Sequence, residues 1–355
     1  MIENIIVGGG FSALSAKLAL GSTASFSILS HTLIKKNNLN LRRVRDFEVN
    51  KIFQNFAYSY AYFGNSEKNL YFHDRMIMGG HSNIWGGFID KSTLSPEILK
   101  SLADMGIILS PINNETCYSS SSKGVHQLRD VNNKILDVKN FLTPDYDGHL
   151  VSLSFNGSFY RLGYIDNISG DLKILFSKKV ILCMGLIQTL NFIIKNYNRD
   201  LVFALSEHNH SIGFKFSKKV EKIGDGFVMY YSLFSAMRHF LGIKNRLYFL
   251  DSFSNLFPIF IRQKYSDELS HLQFRFVKDS RGNLLLKRIS GPEVFGTSIH
   301  YFNLRINNFS LDDFFKEYFP GIVFLGAGSI KNCNPGPISN YILNDAFEKL
   351  SHNVN

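Results

Sequence analysis

Three small residues near the start of the chain, Gly8, Gly10 and Ala13, have the spacing that dinucleotide chemistry requires. The first glycine of such a G-x-G-x-x-A run makes a tight turn. The second lets backbone approach a pyrophosphate, and the small third residue lets a helix pack closely on a strand. The helix N-terminus then faces the negative charge of the phosphates. An acidic residue that holds a ribose hydroxyl is expected about 20 positions further on. Ser30 stands there instead, able to donate or accept one hydrogen bond, and Lys35 and Lys36 are near enough in sequence to contact phosphate.

The elements needed to position this motif are legible around it. Ile5 to Val7 form an apolar run, three glycines break it, and Ala13, Ala16, Leu18 and Ala19 predict a small-faced helix packed on a sheet. Phe26 to Leu29 returns as a second strand. A helix is predicted in LSPEILKSLADMG, with Ser95 as N-cap, Pro96 in the first turn and Gly106 as the stop. From Leu150 to Leu175 a three-stranded meander is expected, its turns at Asn156-Gly157 and Ser169-Gly170-Asp171. KKVILCMG follows as a further strand, then a helix through Leu190, Ile193 and Ile194. The stretch 212–289 is rich in aromatic and aliphatic residues, with a hairpin at KDSRGN, and predicts a largely β unit. The chain closes with strand Ile322 to Leu325, a glycine turn and a helix from Ile338 to Leu350.

Composition narrows the class. With 355 residues, 45% hydrophobic and 19% charged, the chain is globular and long enough for two structural units. Three scattered cysteines, Cys117, Cys183 and Cys333, suit neither a disulfide framework nor a metal knuckle, so a reducing cytoplasm is expected and no metal site. No basic leader precedes the first strand, and the most apolar stretch, Phe227 to Met237, is too short to span a bilayer. The net charge of +10 favours an anionic partner. The basic run of Lys35, Lys36, Arg42, Arg43 and Arg45 lacks interleaved aromatics, zinc spacing or an RNA-binding signature, so no nucleic-acid partner is expected.

Four separated segments resemble the glucose-methanol-choline (GMC) family of flavin oxidoreductases: VGGGFSALSAKLAL, MGGHSNIWGG, KKVILCMGLIQTLNFII and the C-terminal part with His300 and Asn334-Pro335. The resemblance implies an α/β fold, a Rossmann-like FAD-binding domain assembled from discontinuous pieces with a β-rich substrate-binding domain. It divides the chain into FAD-binding segments 1–90, 145–211 and 296–355, a connecting segment 91–144 and a β-rich unit 212–295. It implies FAD contacts from Gly8, Gly10, Phe11, Ser12, Ala13, Ser30, Gly79, Gly80, Ser82, Asn83, Trp85, Gly86, Gly185, Gly326 and Pro335. Ile84 stands where relatives with covalent flavin carry a histidine, which implies non-covalent FAD. The chain departs from the family in its shorter length and in a contracted turn between Gly326 and Asn334.

His300 and Asn334 occupy the positions of the family's catalytic His and its His-or-Asn partner. A neutral imidazole takes a hydroxyl proton while hydride leaves the same carbon for the flavin, and an amide orients the substrate oxygen. His208 and His210 are rival bases, and His81 beside the glycine loop is expected to shape backbone or touch cofactor. The expected substrate is a small molecule carrying an alcohol, anionic or carrier-bound. The alternatives are a tailoring enzyme that desaturates, cyclises or rearranges a carrier-bound or sugar-linked intermediate, and a catalytically degenerate binding subunit.

Overall fold

A computed structural model describes residues 1–22, 24–31, 78–83, 87–111, 125–197, 202–206, 210–215, 227–232, 259–262, 273–278, 284–290, 305–306, 311–326 and 338–351. The opening is a βαβ unit: strand β1 (Ile2–Val7), helix α1 (Phe11–Leu20) and strand β2 (Phe26–Ser30). β1 is flanked on both sides by parallel neighbours and packed on both faces, so Ile5, Ile6 and Val7 are all buried. Ala13, Ala16 and Ala19 of α1 are buried as expected of a helix that lies close to its sheet.

A small antiparallel layer follows, built from β3 (Phe88–Asp90), β4 (Ile108–Pro111) and β5 (Val125–Arg129). Helix α2 (Pro96–Asp104) lies between β3 and β4 in sequence. Its Ser95 cap accepts from Ile98 N at 3.2 Å, Pro96 opens it, and Ile98 and Leu102 face the core.

The meander comprises β6 (Tyr146–Phe155), β7 (Tyr160–Asp166) and β8 (Leu172–Leu182). Here the structure differs from the expected pattern, because the third meander strand and the strand of KKVILCMG are one continuous element. The first part of β8 pairs antiparallel with β7 and the second part parallel with β1. Ser177 is the pivot: fully buried, opposite both Tyr160 and Ile2, with its hydroxyl donating to Lys179 O at 2.7 Å. No glycine or proline lies between Leu172 and Leu182 to end the strand. β6 begins beside the end of β2, so β1, β2, β6, β7 and β8 close on themselves.

Helix α3 (Leu186–Tyr197) follows β8. Next come the β-rich strands: β9 (Val202–Ser206), β10 (His210–Lys215), β11 (Phe227–Ser232), β12 (Ile259–Arg262), β13 (Gln273–Lys278), β14 (Leu284–Ser290) and β15 (Arg305–Ile306). β13 and β14 form the hairpin expected at KDSRGN, and β13 and β15 both pair with β9. β10 pairs with β11 and β12. Helix α4 (Leu311–Tyr318), strand β16 (Val323–Phe324) beside β8, and helix α5 (Ile338–Leu350) complete the chain. The architecture is a Rossmann-like α/β domain with additional β-rich sheets.

Two cores lie on opposite faces of the parallel sheet, and the strands feed them alternately. Ile5, Val7, Leu29, Val180, Leu182 and Phe324 join the core that holds α3 and α4. Ile6, Ile28, Ile181, Cys183 and Leu325 join the one that holds α1, α2 and α5. Helix α4 was not anticipated, although Leu311, Phe314, Phe315 and Tyr318 repeat at helical spacing. Lys349 of α5 ties this end together, reaching Asp312 at 2.8 Å, Asp345 at 3.0 Å and Phe324 O at 3.0 Å. Among the described residues no helix is long and apolar enough to cross a membrane.

Candidate functional site

The three consecutive glycines after β1 do different things. Gly8, at φ 127°, donates its N–H to Leu29 O at 2.8 Å, and a Cβ there would lie 2.2 Å from Cys183 O. A Cβ on Gly9 would lie 2.4 Å from Ser30 Oγ and 2.5 Å from Met78 Sδ. Both positions are closed by the protein itself. Gly10 has an ordinary φ of −92°, and among the described residues a Cβ on it would meet only Gly79 O, at 3.7 Å. Gly10 is therefore the one member of the run that the described residues leave room to substitute.

Gly10 is also the N-cap of α1. Its carbonyl accepts from Ala13 N and Leu14 N at 3.1 and 3.2 Å, no side chain caps the helix, and no acidic residue stands in its first turn. Among the described residues no carboxylate therefore opposes the positive end of the helix dipole. Ala13 is fully buried, as the third position of the motif demands, and Phe11 is buried in the same core.

The other glycine segments meet here. Gly79 donates to Gly9 O at 2.7 Å, bringing the 3₁₀ turn Gly80–Asn83 onto the first turn. Buried Ser82 holds that turn with its N–H at 2.9 Å from Gly79 O and its hydroxyl donating to the same carbonyl. Gly185 follows β8, whose end is fixed to β1 by Cys183 N donating to Val7 O at 2.7 Å. Thr189 closes onto Gly185 O through its hydroxyl at 2.7 Å. Gly326 follows β16, and a Cβ on it would lie 3.4 Å from Ser12 Oγ. Gly8, Gly10, Phe11, Ser12, Ala13, Gly79, Gly80, Ser82, Gly185 and Gly326 therefore gather at the carboxyl ends of the parallel strands. Cys183 is enclosed there, and burial pushes its thiol far above the usual range, out of nucleophilic chemistry.

Ser30 is buried against the glycine turn, its hydroxyl 3.5 Å from His31 O. Sequence reasoning stopped one residue short of a second feature. His31 stacks on His149, the ring centroids 5.4 Å apart and the planes 7° apart. Burial, and then the neighbouring His149, lower the His31 pKa from 6.5 to about 4 against the opposing pull of Asp147. His149 is lowered too, by burial first and then by Lys195, while its hydrogen bond with Asn167 works the other way. The available signal was the position of His31, directly after the second strand.

His300, Asn334, Pro335, Ile84, Trp85, Gly86, His208, Lys35 and Lys36 lie outside the described residues. Of His81, Asn83 and His210 only the backbone is described, the first two in the 3₁₀ turn and the last opening β10. Among the described residues no three His, Cys, Asp or Glu side chains gather to hold a metal. A groove lined by Leu99, Leu102, Ile107 and Leu109 lies on α2 and β4, and none of the site glycines lines it.

Fold and site together define a Rossmann-like α/β protein with a glycine turn between its first strand and the N-terminus of its first helix. No protein-family model matches the chain, and no curated protein matches it. Solved structures do. A flavoprotein/dehydrogenase from Cytophaga hutchinsonii is 14% identical with a TM-score of 0.23, over 62% of this chain and 48% of that one. The rebeccamycin biosynthetic enzyme RebC with reduced flavin is 11% identical with a TM-score of 0.35, over 99% and 60%. CabE, an aromatic hydroxylase from angucycline biosynthesis, is 10% identical with a TM-score of 0.28, over 63% and 38%. The chain spans from about two fifths to three fifths of the length of these structures.

Proposed function

We propose that the chain is a flavin-dependent oxidoreductase that holds FAD without a covalent link, the pyrophosphate lying over Gly8 to Ala13. The observation that carries this reading is Gly10: among the described residues a Cβ there would meet only Gly79 O, at 3.7 Å, and it would stand at the start of α1, where no side chain makes a cap hydrogen bond. The residues present fit a diphosphate, since the turn supplies backbone and helix dipole without a competing carboxylate. Gly79, Gly80 and Ser82, with Asn83, Trp85, Gly86, Gly185, Gly326 and Pro335, complete the proposed FAD contacts. Ser30 shapes the turn beneath them.

Bound flavin supplies a hydride acceptor, and the protein supplies positioning and proton transfer. His300 takes the hydroxyl proton of a small-molecule alcohol while Asn334 orients its oxygen. The net charge of +10 supports an anionic or carrier-bound substrate. The same charge favours a second reading within this class, a tailoring enzyme that desaturates, cyclises or rearranges such an intermediate.

The absorbance spectrum of the purified protein tests the cofactor. A flavin band that is released into solution on acid precipitation is expected, and Gly10→Val should abolish it while leaving the protein folded. A colourless protein that cannot be reconstituted with FAD overturns the enzyme reading in favour of a binding subunit. Product analysis then separates a simple carbonyl from a rearranged species. Weaker substrate binding at high salt marks an acidic carrier.

A further inference from the structure

The first half of β8 carries an apolar row on its outer face. Leu172, Ile174 and Phe176 share that face by the two-residue period of a strand, and they are 60, 42 and 43% exposed. On β7 they stand opposite Ile165, Gly163 and Arg161, and Gly163 has no side chain to cover Ile174. Phe159 lengthens the row by meeting Phe176 edge to face, the centroids 5.5 Å apart. Single exposed apolar residues are ordinary on a protein surface, whereas a contiguous row marks a contact. The row also lies on a strand edge. Leu172 to Phe176 pair with β7 on one side, and among the described residues no strand pairs with the other. β1 takes that second side only from Ser177 onward, opposite Ile2. Open edges are usually blunted by proline, a bulge or charged side chains. This one has no proline, its pairing with β7 runs without a bulge, and its one charged residue, Lys173, is held by Asp166 at 2.6 Å.

Charge along the edge selects what covers it. One end is acidic: Asp171 is exposed there, next to the Lys173–Asp166 pair. The other end is basic, with exposed Arg161, Lys178 and Lys179 against the single carboxylate of Glu3, which bridges Lys178 at 2.8 Å. The complementary occupant is an extended apolar strand whose charges run in the opposite direction, and an antiparallel second copy of the same segment is such a strand. We propose that two copies of this chain pair through their Leu172–Phe176 edges, antiparallel about a two-fold axis beside Ile174. Leu172 of each copy then lies beside Phe176 of the other, and Ile174 faces its own counterpart. Asp171 of each copy comes to the basic end of the other. The paired segment is short, so the dimer is reversible.

The test is sedimentation velocity of the full chain as purified, at concentrations from about 1 to 100 μM, where a small specific interface associates. The sedimentation coefficient should rise from that of a monomer to that of a dimer. Ile174→Lys should weaken dimerisation about tenfold or more, because two lysines then face each other where two apolar side chains met. Ile174 is exposed, so this variant should unfold in urea as the parent does. Asp171→Lys should also weaken the dimer, and adding Lys179→Glu should restore it, which general apolar stickiness would not do. A chain that stays monomeric over the whole range, a dimer unchanged by Ile174→Lys, or a double variant no tighter than Asp171→Lys overturns the proposal. A monomer that instead sediments with phosphatidylcholine–phosphatidylserine vesicles, and loses this in Ile174→Lys, overturns it in favour of a lipid surface on the same row.

Discussion

Alanine at Gly8 and alanine at Gly10 add the same methyl group to two positions of one turn, and their consequences should be opposite. At Gly8 the methyl would stand 2.2 Å from Cys183 O, a backbone oxygen that cannot rotate away. The φ of 127° is also one that L residues rarely adopt. Strain of about 1–3 kcal/mol for the dihedral and about 1–3 kcal/mol for overpacking together give a loss of about 2–6 kcal/mol. At about 2–4 °C per kcal/mol, Tm should fall by about 4–24 °C. At Gly10 the φ of −92° suits alanine and the nearest atom among the described residues is 3.7 Å away. The stiffer unfolded chain contributes about 0.4–1 kcal/mol of stability. Alanine as an N-cap costs a similar amount, about 0.5–1 kcal/mol, so Tm should stay within about 2 °C. ADP and FAD affinity should nevertheless fall in Gly10→Ala, because the methyl occupies the approach to the helix N-terminus. Thermal denaturation without ligand, paired with calorimetric titration, measures both effects. If Gly10→Ala melts as low as Gly8→Ala, or binds nucleotide unchanged, the division of the turn into closed and open glycines is wrong.

Acid should destabilise the fold through His31. Its folded pKa of about 4 lies below the unfolded 6.5, so the unfolded chain takes the proton first. Stability is therefore full above pH 6.5 and is lost as pH falls toward 4, by about 3 kcal/mol at most. Urea unfolding across this range should show that slope, and His31→Leu should flatten it. Phe315→Ala, which empties a fully buried site stacked on Phe324, should cost about 3–5 kcal/mol. Phe176→Ala, at 43% exposure, should cost far less in the same urea titration. On the proposed chemistry, His300→Ala leaves flavin bound and slows substrate-dependent flavin reduction by about 10²-fold or more in stopped flow. Asn334→Ala should slow it less, and an unchanged rate in His300→Ala would move the search for the base to His208 or His210.

Much of the scaffold was legible because its signals are local. The glycine run after Ile5 to Val7, the Ser95-Pro96 start of α2 and the turns at Asn156-Gly157 and Ser169-Gly170 each act within a few residues, so spacing alone located β1, α1, α2 and the meander. Helix α4 carried an equally local signal in Leu311, Phe314, Phe315 and Tyr318 that went unread.

What only the tertiary structure decided concerns distances between segments far apart in the chain. Three glycines in a row are chemically identical, and nothing in their order shows that Cys183 closes Gly8, that Ser30 and Met78 close Gly9, and that Gly10 stays open. That β8 is one strand depends on its having two partners, β7 for its first part and β1 for its second. The meeting of His31 with His149 likewise depends on β6 starting where β2 ends. Backbone conformation is set by neighbours in sequence, whereas steric closure and side-chain pairing are set by whatever the packed sheet brings alongside. Residue types could therefore place the turn, and only the closed ring of strands could show which of its atoms remain available to a ligand.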